Sequence, residues 1–137
     1  MWILYAFGAA FFAGITAILA KIGIKNTDSN LATAIRTVVI LVFSWLMVFI
    51  VGSAGTIISL SVKTVVFLVL SGIATGLSWL CYYHALQIGQ VQKVVPIDKM
   101  SVVFTLILAY VVFHESMSIK EIIGGMLIAA GTLVMVL

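Results

Sequence analysis

The sequence predicts an all-α membrane protein of five transmembrane helices joined by short loops, and three observations carry that prediction. The 137 residues are 64% hydrophobic and only 8% charged, where a soluble domain is roughly 25% charged. The mean hydropathy is +1.35, too high for water to keep the chain dispersed. The chain also divides into five apolar runs, each close to the roughly 20 residues a helix needs to cross about 30 Å of hydrocarbon. In lipid the backbone N–H and C=O groups find partners only inside a helix or a closed barrel, so runs of this length read as helices. The expected organisation is one integral membrane domain over residues 1–137, with no soluble domain attached.

The first span is expected over residues 2–22. It opens Met1-Trp2-Ile3 without a basic leader, and its apolar run to Ala20 is longer than a signal-peptide core, so it reads as a retained helix. Its small residues form two stripes at helical spacing, Ala6/Ala10/Gly14 and Ala9/Ala13/Ala17, which let another helix approach closely, within the chain or from a second copy. Lys21 and Lys25 close the span, placed to snorkel to the interface. Polar turn formers fill 26–30, with Ser29 or Asn30 as the cap of a second span over residues 31–51. Arg36 lies inside that span. Its guanidinium is always charged, so it snorkels, pairs with a carboxylate or faces a wet cavity.

The third span, residues 64–86, contains Gly72 and Gly76 at GxxxG spacing, a weak sign of association. Its second half says more. Trp79 and Tyr83 stand four apart on one face, Tyr82 flanks them and His84 follows. These rings form either an interfacial aromatic belt or an aromatic wall for a solute. His84 has no second ligand at helical spacing, so no metal site is expected. Cys81, the single cysteine, excludes an internal disulfide and reads as a small apolar filler.

The fourth span is expected over residues 94–113, with Pro96 in its first turn; an earlier start would make that proline a kink. Asp98 and Lys99 are adjacent, hence about 100° apart on a helix. Each then needs its own partner or water, and Arg36 of the second span is the attractive partner for Asp98. Ser118, followed three residues later by Glu121, forms a capping box that opens the fifth span, residues 119–137. Gly124, Gly125, Ala129 and Gly131 give that span a small-residue side.

The net charge of +3 comes from bases scattered at helix ends, so no nucleic-acid partner is expected. Lys21, Lys25 and Lys93 fall on one side of the membrane, joined by Arg36 and Lys99 inside the adjoining helix ends, while Lys63 and Lys120 fall on the other. The bias favours an outer N-terminus and an inner C-terminus. Without the two in-helix bases the margin is small enough for mixed insertion, which would let one sequence form an antiparallel pair. No nucleophile stands beside a base and no His/Asp/Glu cluster has ligand spacing, so neither an enzyme nor a cofactor is expected.

The succession Tyr83-His84-Ala85-Leu86, Pro96, an apolar run to Glu115, then Ser118, Gly125 and Gly131 resembles a single EamA-type unit of the drug/metabolite transporter superfamily. Lys21 and Arg36 also fall where that family commonly places bases, and Val95-Pro96-Ile97-Asp98-Lys99 resembles the variant in stand-alone five-helix members. The chain departs from the pattern at His114, where the family usually has glycine before the glutamate. Most members carry two units, so the resemblance implies half of a ten-helix inverted-repeat transporter that needs a second copy or a paralogue. The related four-helix multidrug exporters use a carboxylate in helix one. No acid lies between Trp2 and Ala20, which disfavours proton-coupled export of lipophilic cations.

The implied function is a secondary transporter or exporter of a small polar or amphipathic metabolite, working by alternating access as an antiparallel dimer. Trp79, Tyr82 and Tyr83 would form its aromatic wall, and Arg36, Asp98 and Lys99 would supply charge and orientation. An excess of bases favours an anionic or zwitterionic solute. Short loops fit a prokaryotic plasma membrane. The alternative is a non-transporting membrane subunit or modulator that assembles with another membrane protein.

Overall fold

The computed structural model describes residues 1–137, which are helical apart from short connections and contain no strand. In order come α1 (Trp2–Ile24), α2 (Ser29–Val51), a 3-10 turn (Ser53–Ser59), α3 (Val62–Ile88), α4 (Val91–Asp98), α5 (Ser101–Phe113) and α6 (Ile119–Val136). Five stretches are long and apolar enough to cross a membrane: α1, α2, α3, α6, and α4 with α5 taken together. The 23 residues of α2, at about 1.5 Å each, span the hydrocarbon with a little to spare. The protein is therefore an all-α, five-span membrane protein.

Local chemistry sets the helix ends. The cap of α2 is Asp28, not Ser29 or Asn30: Asp28 Oδ2 accepts from the Leu31 amide at 3.1 Å. A carboxylate here satisfies an orphan N–H and complements the positive end of the helix dipole. That leaves Ser29 inside the helix, buried. At the other end Gly52 takes φ 80° and donates its amide to Val48 O at 3.0 Å, a left-handed closure that costs glycine nothing. The expected capping box of α6 forms in both directions, with Ser118 N to Glu121 Oε2 at 2.8 Å and Glu121 N to Ser118 Oγ at 3.3 Å.

The fourth span is broken rather than continuous. It starts earlier than expected, at Val91, so Pro96 lies in the interior of α4. Proline lacks an N–H and its ring crowds the carbonyl one turn back. The chain responds by tightening to i→i+3 bonds: Lys99 N to Pro96 O at 3.1 Å, Met100 N to Ile97 O at 2.9 Å and Val102 N to Lys99 O at 3.1 Å. Regular helix resumes at Ser101 and ends at His114, which adopts φ 55°. The position where the related family usually carries glycine is thus a position that needs the left-handed region.

The chain divides into two compact units, one formed by Met1–Leu19 with Ile88–Leu137 and the other by Ala20–Gln87. In the second, the buried residues Ala20, Ile24, Ser29, Thr33, Tyr83 and Leu86 lie at the end of α1, the start of α2 and the end of α3. In the first, α6 packs on α4 and α5. A Cβ on the buried Gly125 would stand 3.0 Å from Leu106 Cδ1, so glycine lets α5 approach, whereas one on Gly14, Gly72 or Gly76 would meet nothing within 4 Å. Most large apolar side chains, Phe7, Phe43, Phe67 and Phe104 among them, are exposed, as expected of helices apolar on every side that face lipid.

Candidate functional site

Polarity concentrates where α1 ends, α2 begins and α3 ends. A helix C-terminus leaves carbonyls without partners at the negative end of its dipole. Lys21, in the last turn of α1, donates its ammonium to Leu86 O and to Gln87 O (3.4 Å) at the end of α3. Gln87 returns the favour, its Nε2 donating to Ile24 O at 3.4 Å, at the end of α1, and to Thr27 O at 2.6 Å, just beyond it. Lys21 thus holds protein carbonyls at the end of α3, while Lys25 is exposed.

Alongside this clasp, Ser29 Oγ lies 3.3 Å from His84 Nδ1. The hydroxyls of Thr33 and Thr37 bond back to the carbonyls of Ser29 (2.8 Å) and Thr33 (2.7 Å), a common way for threonine to satisfy itself in an apolar helix. Arg36 stands about 10 Å along α2 from Ser29, and its guanidinium centre lies 4.4 Å from the centroid of the Tyr83 ring. Tyr83 is 3% exposed and meets Tyr82 edge-on, at 5.3 Å between centroids. Trp79, half-buried, follows one turn away on the same helix. Arg36 thus rests on a ring that offsets part of its charge. Its Nε is buried without a hydrogen-bond partner.

Asp98 and Lys99 belong to the other unit. They pair with each other, Lys99 Nζ to Asp98 Oδ2 at 3.6 Å, contrary to the expectation that each needs its own partner. The 100° argument assumed an unbroken helix, but α4 ends at Asp98 and Lys99 lies beyond it. With side chains 53% and 38% exposed, the pair contributes little stability. Pro96 O, which also accepts the Lys99 amide at 3.1 Å, accepts from the buried Thr132 Oγ1 of α6 at 3.2 Å.

The structure thus brings Arg36, Tyr82 and Tyr83 together and places Asp98 beside Lys99 at a helix break. Sequence reasoning missed Gln87 and Thr132. The signal for Thr132 was partial: it is the only hydroxyl in α6, and a hydroxyl in an apolar helix needs an acceptor.

Five spans long and apolar enough to cross a membrane, with polar groups held among them, define a multi-pass membrane protein. The chain belongs to the EamA-like transporter family, whose model matches residues 1–137. It is 39% identical over 134 residues to a Sinorhizobium sp. protein described as an uncharacterized transporter in the cobO 3′ region, covering 98% of this chain and 95% of that one. No solved structure matches the chain. Both similarities support a membrane transporter and point away from an enzyme.

Proposed function

We propose that the chain is a secondary transporter or exporter of a small polar or amphipathic metabolite, acting by alternating access in the prokaryotic plasma membrane as an antiparallel dimer, with a second copy or a paralogue as the other half. The observation that carries this reading is Arg36. A guanidinium held half-buried within a membrane span, with an unpartnered Nε, is expensive unless it serves a solute or a partner. Trp79, Tyr82 and Tyr83 offer the solute an aromatic surface and Arg36 favours an anionic or zwitterionic one, while Asp98 and Lys99, in the other unit, have an orienting role of their own. A broken helix beside charged groups supports that last role, since transporter sites are commonly built at discontinuous helices. An antiparallel partner would supply the second half, of opposite orientation, that an inverted repeat needs.

Labelling of single cysteines with an impermeant reagent on intact cells tests the arrangement. Lys63→Cys and Lys93→Cys are each introduced with Cys81→Ala, both native lysines being exposed. Partial labelling at both positions is expected, each reporting the part of the population in one orientation. Labelling of Lys63→Cys alone would mean one fixed orientation and would sink the homodimer, leaving a paralogous half or a modulator of another membrane protein.

A further inference from the structure

We propose that Arg36, laid on the ring of Tyr83, is a binding site for one oxyanion, a carboxylate or a phosphate. The ring is a fixed shelf: Tyr83 is 3% exposed and braced edge-on by Tyr82, and the guanidinium centre stands 4.4 Å from its centroid. A cation held on a π-face keeps its N–H groups for another partner. Nothing in its own unit supplies that partner. Arg36 Nε is buried and makes no hydrogen bond, and the one carboxylate between Ala20 and Gln87 is Asp28, engaged at the N-terminus of α2. The guanidinium fork matches two oxygens of a carboxylate or phosphate at once, which a neutral or cationic ligand does not offer.

Two sources hold such oxygens, a dissolved anion and the headgroup of an anionic lipid. The inference deepens the transport reading by giving the charge of the cargo, and it is tested by binding, which needs no transport. The full chain is purified in a neutral detergent with Trp2→Phe and Trp45→Phe, so that emission comes from Trp79, one turn from Tyr83. It is titrated at constant ionic strength with propionate, inorganic phosphate, propionamide and propylamine. A parallel set is reconstituted in phosphatidylcholine nanodiscs with and without phosphatidylglycerol.

Propionate or phosphate should change the emission saturably, while propionamide and propylamine leave it unchanged. Arg36→Gln should weaken that binding at least about tenfold, the scale of a lost charge-assisted hydrogen bond. If the free anions are silent but phosphatidylglycerol changes the emission of the parent and not of Arg36→Gln, the oxyanion is a lipid headgroup. Silence in both sets, or a response that survives Arg36→Gln, overturns the site. Should Arg36→Gln lose its helicity, Arg36→Lys carries the test, because it keeps the charge and loses the fork: weaker binding supports the site and unchanged binding overturns it. Arg36-dependent binding without transport of any solute would leave the site standing and sink the transport reading; transport without such binding would do the reverse.

Discussion

The two units meet the same difficulty, backbone groups left open at helix ends in an apolar medium, by different means. In Ala20–Gln87 long side chains cross between helices: Lys21 reaches the carbonyls ending α3, and Gln87 reaches those ending α1. In the unit of α4, α5 and α6 the backbone largely closes on itself, through i→i+3 bonds after Pro96, a left-handed turn at His114 and a local capping box at Ser118. Cross-links between helices resist relative movement, whereas a 3-10 stretch inside a span is where a helix bends most easily. The comparison makes the α1–α2–α3 junction the stiff part and the α4–α5 break the compliant one.

The largest effect should come from breaking the stiff part. Lys21→Met keeps the length and apolar stem of the side chain but leaves Leu86 O and Gln87 O without their charged donor. A hydrogen bond from a charged group to a buried acceptor is worth about 2 kcal/mol. Chemical unfolding in detergent should show a loss of that size, with little change for Lys25→Met, which removes the same charge from an exposed position. Equal effects of the two substitutions would mean that charge alone matters and that the clasp holds nothing.

A smaller effect should separate two adjacent glycines in the other unit. A Cβ at Gly124 meets nothing within 4 Å, while one at Gly125 meets Leu106 Cδ1 at 3.0 Å. Both gain the helix propensity of alanine, but only Gly125→Ala pushes on a packed neighbour. Gly124→Ala should therefore be the more stable of the two by about 1 kcal/mol. Equal stability would show that Leu106 rotates away freely and that α5 and α6 are loosely packed.

The fold was legible in the sequence because spans depend on length and composition, which are summed over some 20 residues and tolerate local error. The Ser118–Glu121 box was legible because it is local. What failed depended on contacts distant in sequence or on one residue's backbone. Asp28 won the cap of α2 over its polar neighbours because its carboxylate reaches the Leu31 amide. The two carbonyls that Lys21 holds lie at the far end of α3 in sequence, so nothing near Lys21 pointed to them. Asp98 and Lys99 were separated by helix geometry that Pro96 had already disrupted. Of the candidate site, Arg36 and the rings Trp79, Tyr82 and Tyr83 could be picked out one by one as unusual residues in apolar spans, but not that Arg36 would lie on Tyr83. That contact joins α2 to α3 across their tertiary packing, and nothing in the spacing of either helix fixes it. His114 was readable as a departure from a family glycine, and its φ of 55° supplies the reason glycine is usual there.

The smallest expected effect probes the compliant part. Thr132→Val preserves the shape of a buried side chain and removes only the hydroxyl that donates to Pro96 O at 3.2 Å. Pro96 O keeps the Lys99 amide at 3.1 Å, so the substitution leaves no buried acceptor empty. Interhelical hydrogen bonds in membrane proteins average about 0.6 kcal/mol, and the loss should not exceed that. Hydrogen exchange should be more sensitive than global unfolding, with faster exchange at the Met100 and Val103 amides, whose bonds flank the break. A loss as large as that of Lys21→Met would invert the comparison, for it would mean that the break is held shut from α6 and not by its own i→i+3 bonds. The α4–α5 segment would then be as firmly tied as the junction of α1, α2 and α3, and the compliance that distinguishes the two units would have to be sought elsewhere in the chain.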